Sequence, residues 1–356
     1  MSTTAPGTAS ASMRIGLLGA SRIAEEAITI ASRETGDVRA AVAARDPERA
    51  REFATEHDYD RVHDDYEALL ADDSLDVVYV GLPNGLHAEW TVQALAAGRN
   101  VLVEKPFASN LAEFDAVAAR LSRSAGWAWE AFHYVDHPLF ARIIEIVRSG
   151  EIGELQAVHA RMAMPAPDSA DPRWSFDLAG GALMDVGCYA INGLLAFGEA
   201  FGLPLTLQSA SATAGEVDPR IDTSVDAMFA LGGLPATMFT SMVHEGWDFS
   251  FEVVGSAGSV FAPNYVKPQQ DDRVIVRGAG AGAGAGGTGA GAGDSERVEH
   301  LGTRSSYMYQ LDHLRAAIAN GERDAAVLAR SRRTMELIDA VYEASGLPLR
   351  PSRLLG

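Results

Sequence analysis

Short apolar runs alternate with helix-type periodicity over the first 122 residues, and this alternation constrains the fold more than any other feature of the sequence. The apolar runs occupy residues 14–19, 38–44, 76–82 and 100–104, and a helical pattern follows each one. Strands that alternate with helices in this way pair in parallel, with helices on both faces of the sheet. The sequence therefore predicts an α/β domain over residues 13–126, a doubly wound parallel sheet whose ligands bind at the carboxyl ends of the strands.

The pattern changes after residue 126, where strand-like runs become dominant. Several runs have hairpin-like spacing, which favours antiparallel pairing. They occupy residues 127–132, 155–163, 205–212, 223–231, 236–243, 249–254 and 273–276. Two helical stretches, 306–320 and 326–344, end the chain, and the second is a candidate to pack on the first domain. We therefore expect an α+β substrate domain over residues 127–345 with a mostly antiparallel sheet.

Three segments have little to contribute to a core. Residues 1–12 are rich in Ala, Ser and Thr without the basic and apolar regions of a signal peptide, so a disordered tail is expected. Residues 278–293 are Gly or Ala except for Thr288, and such small side chains cannot offset the entropy of ordering, so a flexible loop is predicted. Residues 346–356 are interpreted as a C-terminal tail.

The charge balance excludes several classes of partner. The chain carries 48 acidic and 29 basic residues, for a formal net charge of −19, and lacks the positive field that nucleic acids and anionic membranes attract. No uninterrupted apolar run approaches the roughly 18–20 residues of a membrane helix. The single cysteine, Cys188, rules out an internal disulfide and fits a reducing compartment. We expect a cytoplasmic protein that binds neither nucleic acid nor membrane.

The turn after the first apolar run is a candidate phosphate site. Residues 19–24 read Gly-Ala-Ser-Arg-Ile-Ala, so only the first glycine of the Gly-x-Gly-x-x-Gly fingerprint is present. The turn nevertheless joins a strand to a helix, and its small residues allow a pyrophosphate to approach the helix N-terminus. A tight turn without a ligand is the alternative. We predict a dinucleotide site that includes Gly19, Ala20, Ser21, Arg22 and Ile23.

The end of the second run bears on which dinucleotide is bound. Arg45 stands where an acidic residue would accept hydrogen bonds from the ribose of NAD, and a guanidinium suits a 2′-phosphate instead. Asp46 follows directly, so both cofactors stay open at this point. Arg22 either supplies a second cation or faces solvent. The pattern favours NADP, with NAD as the alternative.

Lys105 is the strongest catalytic candidate. Only two of the 29 basic residues are lysines, Lys105 and Lys267. A lysine ammonium can shift its pKa and transfer a proton, which a guanidinium cannot do. Lys105 follows the fourth run and lies at the ligand-binding edge, whereas Lys267 precedes a proline and is interpreted as an ordinary loop residue.

A second candidate segment is the run Gly-Gly-Ala-Leu-Met-Asp-Val-Gly-Cys-Tyr-Ala-Ile-Asn over residues 180–192. Asp185 and Tyr189 are four residues apart, so a helix would present them on one face. Together with Lys105 they would supply a proton-transfer group, a hydroxyl for the reacting oxygen and a carboxylate to orient both. The alternative is a helix start in which the aspartate caps backbone amides and the tyrosine packs.

Four segments together resemble the Gfo/Idh/MocA oxidoreductases over residues 13–345. They are Glu-Lys-Pro at 104–106, the run at 180–192, Leu-Pro-Asn-Gly-Leu-His-Ala-Glu-Trp at 82–90, and Glu-Ala-Phe-His-Tyr-Val-Asp-His-Pro at 130–138. The resemblance implies an N-terminal Rossmann domain and an open-sheet domain that closes the substrate site and mediates homo-oligomers, as dimers or tetramers. It also implies hydride transfer to nicotinamide, with Lys105 as the acid or base. Tyr189 stands where many members have histidine.

The resemblance extends the list of candidate site residues. It places Asn84 and His87 near the nicotinamide ribose and Trp174 near the mouth of the active site. Trp174, Asp185 and Tyr189 are the substrate-binding candidates. Leu82 and Glu104, in the matching segments, complete the cofactor-binding set together with Lys105.

The resemblance also exposes a departure. His133 stands where the related branch often has methionine, and Val135 where it often has arginine, so substrate contacts from this segment do not carry over. His133 and His137, with Asp136 between them, are alternatively metal ligands, but no further Cys or His cluster supports this. We expect no metal.

The predicted function is an NADP-dependent oxidoreductase that acts on a sugar-like substrate. The leading hypothesis is an aldose 1-dehydrogenase that produces a lactone, in which Tyr189 binds the C1 oxygen and Lys105 helps to remove its proton. A nucleotide-sugar ketoreductase or a trans-dihydrodiol dehydrogenase would use the same residues. A non-catalytic sensor of NADP(H) is the alternative from a different class, and the presence of both Lys105 and Tyr189 argues against it.

Overall fold

The computed structural model of the chain describes residues 12–278 and 296–355. Its first sheet has five parallel strands in the order β2-β1-β3-β4-β5. Their bounds are Arg14–Leu18, Val38–Ala43, Val77–Val80, Asn100–Val103 and Ala128–Glu130 for β1 to β5. Nearly every strand residue is buried because helices cover both faces, which explains the continuous apolar runs in the sequence.

The helices of this domain follow the strands as expected. After β1 the chain forms one continuous helix, composed of α1 (Arg22–Ala24), a π-helical stretch (Glu25–Ile30) and α2 (Ala31–Thr35). The later helices are α3 (Pro47–His57), α4 (Tyr66–Leu70), α5 (His87–Ala96) and α6 (Leu111–Leu121). Pro47 lies at the start of α3, where a missing N–H costs nothing.

The predicted domain boundary is misplaced by one strand. The sequence pattern predicts the run at 127–132 in the second domain, but β5 pairs in parallel with β4 through Val101 and Ala128. It is therefore the edge strand of the first sheet, and the second domain starts after residue 131. Periodicity identifies such a short strand but does not say which sheet it joins.

The second sheet has eight strands in the order β13-β12-β11-β10-β6-β9-β8-β7, and only β6 and β9 pair in parallel. The bounds of β6 to β13 are Leu155–Ala163, Leu205–Ala214, Asp222–Leu231, Leu234–Ser241, Phe251–Gly255, Gly258–Ala262, Arg273–Gly278 and Glu296–His300. The predicted fold class, a parallel sheet followed by a mostly antiparallel one, is confirmed. β11 and β13 were not predicted.

One face of this sheet is covered by helices and the other is open. The helices are α7 (Pro138–Arg148) and α8 (Cys188–Phe201), with α10 (Ala325–Ala344) beside α8. By length and composition, the stretch Phe176–Phe201 would suit a membrane span, with a mean hydropathy of 1.3, but 94% of its most apolar window is buried. Its hydropathy thus reflects packing in the core of this domain.

Both C-terminal helices join the two domains. α9 (Ser306–Asn320) packs on α2, where Arg315 binds the buried Asp37 carboxylate with N–O distances of 2.9 and 2.6 Å. α10 contacts α6, where Arg332 binds Asp115. The sequence predicts this contact only for the last helix. Lys267, interpreted from the sequence as an ordinary loop residue, also crosses the domain boundary and binds Glu26 with N–O distances of 3.0 and 2.7 Å.

The prediction that residues 346–356 form a tail is wrong for the segment around Arg350. Its guanidinium is fully buried, pairs with the buried Asp222, and donates to the Gly180 carbonyl oxygen at 2.7 Å. A buried charge without a partner is very unfavourable, so this pairing fixes the segment against the second domain. Residues 1–11 of the predicted N-terminal tail, residues 279–293 of the predicted loop and Gly356 lie outside the described residues.

Candidate active site

Lys105 lies where the two domains meet. β4 ends at Val103, and the Lys105–Pro106 peptide that follows is cis. The Lys105 ammonium donates to the backbone oxygen of Asp185 at 2.6 Å and lies 3.7 Å from its Oδ1 atom. Asp185 belongs to the π-helical stretch Leu183–Gly187 that leads into α8. A residue at the edge of the first sheet thus meets the start of the central helix of the second domain.

Arg173 completes this charged group. It lies in a short 3-10 turn, Pro172–Trp174, and its Nε donates to Asp185 Oδ2 at 2.6 Å. Its Nη1 atom donates to both oxygens of Asp171, at 3.1 and 3.0 Å. Burial alone would raise the pKa of Asp185, but the attraction of Lys105 and Arg173 outweighs it and lowers the pKa. Asp185 is therefore an anion at neutral pH.

The same contacts decide the charge of Lys105. Burial favours the neutral amine, but the neighbouring Asp185, with smaller contributions from Cys188 and Glu104, raises the pKa of Lys105 above its ordinary value. Lys105 is therefore a charged ammonium ion at neutral pH. An ammonium can stabilise negative charge on a substrate oxygen or donate a proton to it, but it cannot accept one.

Tyr189 lies beside Lys105, as its spacing from Asp185 predicts. Lys105 Nζ is 4.9 Å from the centre of the Tyr189 ring, within the range of a cation–π contact. The hydroxyl of Tyr189 is 3.1 Å from Nε2 of His133. Burial, together with nearby acidic groups and Tyr307, raises the pKa of Tyr189 well above its ordinary value, so its hydroxyl keeps its proton. We call Lys105, Asp185, Arg173 and Tyr189 the catalytic cluster.

The first turn has a backbone that can approach a phosphate closely. Gly19 has φ = +97°, and a Cβ there would lie 2.9 Å from the Gly81 carbonyl oxygen, so only glycine fits. Ser21 replaces the second glycine of the fingerprint, but its hydroxyl is turned towards the sheet. It donates to the Gly81 carbonyl oxygen at 3.0 Å and caps the helix at Ala24 N. The serine therefore leaves the front of the turn open.

Three exposed arginines lie around this turn, and we call Arg22, Arg45 and Arg49 the arginine patch. Within residues 12–278 and 296–355, none of the three forms a salt bridge or a side-chain hydrogen bond. A cleft of about 230 Å³ lies between the turn and α3, and Ser21, Arg22 and Arg49 line it. The Asp46 carboxylate, which could otherwise accept hydrogen bonds from a ribose, caps α3 by accepting from Glu48 N at 3.0 Å.

Several predicted cofactor residues use their side chains within the protein. His87 is buried, with Nδ1 and Nε2 each 2.7 Å from a carbonyl oxygen, those of Pro106 and Leu82. The Glu104 carboxylate is buried and accepts a hydrogen bond from the Tyr79 hydroxyl at 2.7 Å. His87 therefore ties together the loops after β3 and β4. The Glu104 carboxylate is engaged by Tyr79, a buried partner that periodicity does not reveal, and its contact with a cofactor stays a prediction.

Asn84 and Trp174 lie where the domains approach each other. Asn84 Nδ2 donates to the Ala179 carbonyl oxygen at 3.1 Å, so the turn after β3 touches the second domain. Trp174 is half-buried next to Arg173, and its indole N–H donates to the Asp168 carbonyl oxygen at 3.1 Å. Their predicted roles towards ribose and substrate stay predictions.

The two histidines that were considered as metal ligands face different partners. His133 contacts Tyr189 and Ser306, whereas His137 accepts from Leu139 N and caps α7. Asp136, between them, binds His313. Among the residues that the structure describes, no group of three or more His, Cys, Asp and Glu side chains is arranged to hold a metal ion.

Arg173, Arg49 and His133 were not in the predicted site. Arg173 is adjacent to Trp174 in sequence but meets Asp185 only through the turn at 172–174. Arg49 lies in the first turn of α3, four residues after Arg45, so its position was an available signal. His133 was noted as a departure from a pattern and as an alternative metal ligand, but not as a partner of Tyr189. Its contact with Tyr189 joins residues 56 positions apart, which spacing cannot predict.

Comparison with known proteins agrees with this geometry. Residues 13–131 match the oxidoreductase family Gfo/Idh/MocA, with an NAD-binding Rossmann fold, and residues 140–261 match the C-terminal domain of the same family. The chain is therefore a two-domain dinucleotide-dependent oxidoreductase. It belongs to the Gfo/Idh/MocA family, so the predictions of family and enzyme class are confirmed.

Relatives of known activity cover almost the whole chain. It is 32% identical to a D-xylose 1-dehydrogenase (NADP(+)) of Haloferax volcanii, over 94% of this chain and 97% of that protein. It is 26% identical to a trans-1,2-dihydrobenzene-1,2-diol dehydrogenase of Xenopus laevis, over 86% and 89%. A 3-ketoreductase from Actinomadura kijaniata, solved in complex with NADP and TDP-benzene, is 26% identical with a TM-score of 0.83, over 94% and 98%.

Proposed function

We propose that this protein is an NADP(H)-dependent aldose 1-dehydrogenase, which oxidises the C1 hydroxyl of a cyclic sugar to a lactone. The observation that carries this proposal is the catalytic cluster, in which an ammonium and a phenol lie together at the carboxyl edge of β4. The NADP-dependent sugar dehydrogenase among its relatives, similar over nearly the full length of both chains, supports the same chemistry.

The residues around the first turn fit NADP. Gly19 and Ser21 leave room for the pyrophosphate at the start of the α1 helix, where backbone N–H groups and the helix dipole favour an anion. Arg45, with Arg22 and Arg49 nearby, would bind the 2′-phosphate, because these cations have no partner in the described chain. When bound, NADP supplies the hydride acceptor for the reaction.

The catalytic cluster would orient the sugar and stabilise charge on its C1 oxygen. Tyr189 binds that oxygen, and the Lys105 ammonium stabilises the negative charge that develops as the hydride leaves. Asp185 and Arg173 hold the ammonium in place. Lys105 thus acts electrostatically during oxidation, which differs from the expectation that it removes the proton, because its pKa is raised.

The test is a substrate panel measured with NADP and NAD, in which the absorbance of the reduced nicotinamide reports turnover. We expect turnover with at least one aldose and a preference for NADP. Absence of turnover with every aldose would contradict the proposal. Turnover with a keto sugar nucleotide or a trans-dihydrodiol instead would select the second candidate, which the 3-ketoreductase structure favours at a TM-score of 0.83.

We also propose a homo-oligomer that forms in the cytoplasm through the open face of the second sheet. Met228 is 57% exposed on that face, and Phe239 lies beside it on β9 with the Arg161 guanidinium 4.5 Å from its ring centre. Exposed apolar side chains on an uncovered sheet are typical of a subunit interface. Light scattering should give at least twice the mass of one chain, and a monomer would contradict the proposal.

A further inference from the structure

The hydroxyl of Tyr189 has one polar side-chain partner among the described residues, and that partner is a buried histidine. His133 follows β5 in a short 3-10 turn, His133–Asp136, and is 1% exposed. Its Nε2 lies 3.1 Å from the Tyr189 hydroxyl and its Nδ1 lies 2.8 Å from the Ser306 hydroxyl. Its ring stacks on Tyr307 with centres 3.9 Å apart, which holds the imidazole in this orientation.

The direction of these hydrogen bonds follows from the acceptors around Ser306. The Ser306 hydroxyl has two acceptors on its other side, the Gln269 amide oxygen at 3.3 Å and the Val266 carbonyl oxygen at 3.5 Å. A hydroxyl has a single proton to donate, and we assign the Ser306 proton to one of these two oxygens, so that Ser306 accepts from Nδ1 of His133. In a neutral imidazole this leaves Nε2 without a proton, so Tyr189 donates to Nε2.

The surroundings keep His133 neutral. Burial lowers its pKa well below the ordinary value, and the positive charges of Lys267 and Lys105 and the neighbouring His137 lower it further. Tyr189 and Tyr307, the other titratable groups against the ring, both keep their protons because their pKa values are raised well above the ordinary value. His133 is therefore an unprotonated base in contact with the tyrosine that we assign to the substrate oxygen.

No other member of the catalytic cluster can take the substrate proton. Lys105 is already an ammonium, Arg173 stays charged at any accessible pH, and Asp185 is engaged by both of them. Oxidation of a C1 hydroxyl nevertheless releases one proton for each hydride transferred. His133, through Tyr189, is the base that remains.

We propose that His133 is the proton acceptor behind Tyr189 in this enzyme. The O–H bond of the C1 hydroxyl breaks and its proton passes to the Tyr189 oxygen, while the Tyr189 proton passes to His133 Nε2. When bound, NADP would accept the hydride that leaves C1 as the C1–O double bond forms. His133 ends the step as an imidazolium, Tyr189 ends it unchanged, and reduction runs the same steps in reverse.

This inference rests on the proposed function for its substrate but not for its hydrogen-bond geometry. The geometry is tested first, without substrate, by two-dimensional ¹⁵N NMR of histidine-labelled protein at neutral pH, with a His133→Gln sample to assign the signal. We expect a neutral ring with its proton on Nδ1. A proton on Nε2, or a charged ring, would overturn the proposal even if the enzyme were active.

The catalytic role is tested with His133→Gln, whose amide oxygen can accept from Tyr189 but cannot bind a proton. We expect kcat for oxidation to fall about a hundredfold, the scale of general base catalysis, while KM for the sugar and Kd for NADP change less than about threefold. The control is His300→Gln, which replaces an exposed histidine on β13 and should leave kcat unchanged.

The pH profile separates this role from a structural one. In the wild type, kcat for oxidation should rise with pH as His133 loses its proton, with a limb below the ordinary histidine pKa of about 6.5. In folded His133→Gln, verified by its melting temperature, that limb should be absent. A variant that keeps both the wild-type kcat and the acid limb would overturn the proposal.

Discussion

The catalytic cluster and the arginine patch are both cationic regions at the carboxyl edge of one sheet, but they differ in burial and in whether the cations have an acidic partner. In the catalytic cluster, Lys105 and Arg173 are largely buried and share the Asp185 carboxylate. In the patch, Arg22, Arg45 and Arg49 are exposed and have no acidic partner within the described residues, although the chain has 48 acidic residues.

Solvation explains the difference. Moving a charge out of water costs several kcal/mol, so buried cations are stable only beside an anion supplied by the protein. An exposed guanidinium keeps its water and can remain unpaired until a ligand supplies the anion. The cluster is therefore preorganised by its own chain, whereas we propose that the patch is completed by the phosphate of the cofactor.

The largest effect is expected from removing the shared anion of the catalytic cluster. Asp185→Asn leaves Lys105 and Arg173 without their carboxylate, and breaking a buried pair of this kind costs about 3–5 kcal/mol. Denaturant unfolding at neutral pH measures the loss. Asp58→Asn, which removes an exposed carboxylate beside Arg33, should change the free energy of unfolding little.

The wild type and Asp185→Asn also provide a test of pH dependence. The pKa of Asp185 is lowered in the folded state, so its contribution to stability is fully present above the unfolded pKa of about 4 and is lost as the pH falls through the folded value. The difference between wild type and Asp185→Asn should therefore be constant near neutrality and shrink below pH 4. A difference that persists unchanged at lower pH would argue against an ionised Asp185.

The next effect concerns catalysis rather than stability. Lys105→Ala removes the ammonium beside the reacting oxygen, and kcat should fall at least about a hundredfold while the Kd for NADP changes little. Arg33→Ala is the control because it removes an exposed cation whose pair with Asp58 lies outside the cluster. Near-normal turnover of Lys105→Ala would remove Lys105 from the mechanism.

The smallest effects are expected at the arginine patch. Arg45→Ala should weaken NADP binding about tenfold, since one charge-assisted hydrogen bond is worth roughly 1.5 kcal/mol or more, and should leave NAD binding and the melting temperature unchanged. Arg49→Ala should have a smaller effect of about threefold. Arg51→Ala, on the same helix but paired with Glu48, is the control. Equal losses for NADP and NAD would place Arg45 away from the 2′-phosphate.

Local patterns predicted much of the fold because they depend on neighbours in sequence. The runs at 14–19 and 100–104 became β1 and β4, and the helix predicted at 306–320 became α9 with the same bounds. The pattern failed where partners are distant. The pattern predicted β5 in the wrong domain, and it predicted a tail for the segment around the buried Arg350.

The candidate site divides in the same way. Lys105, Asp185 and Tyr189 were predicted from residue type, spacing and a family resemblance, and the structure brings them together. Arg173 and His133 were not predicted because their partners, Asp185 and Tyr189, are joined to them only by the tertiary fold.

The sequence by itself determined the two-domain architecture, the strand-to-helix turn after β1 and the lysine at the sheet edge, because periodicity and residue type are local properties. Only the tertiary structure decided which of these groups are charged and which contact each other. Lys105 is an ammonium because Asp185 reaches it from the second domain, and the proposed direction of the Tyr189 proton depends on the contacts of His133 with Tyr189 and Ser306. Protonation depends on burial and on contacts between distant segments, and these exist only in the folded chain.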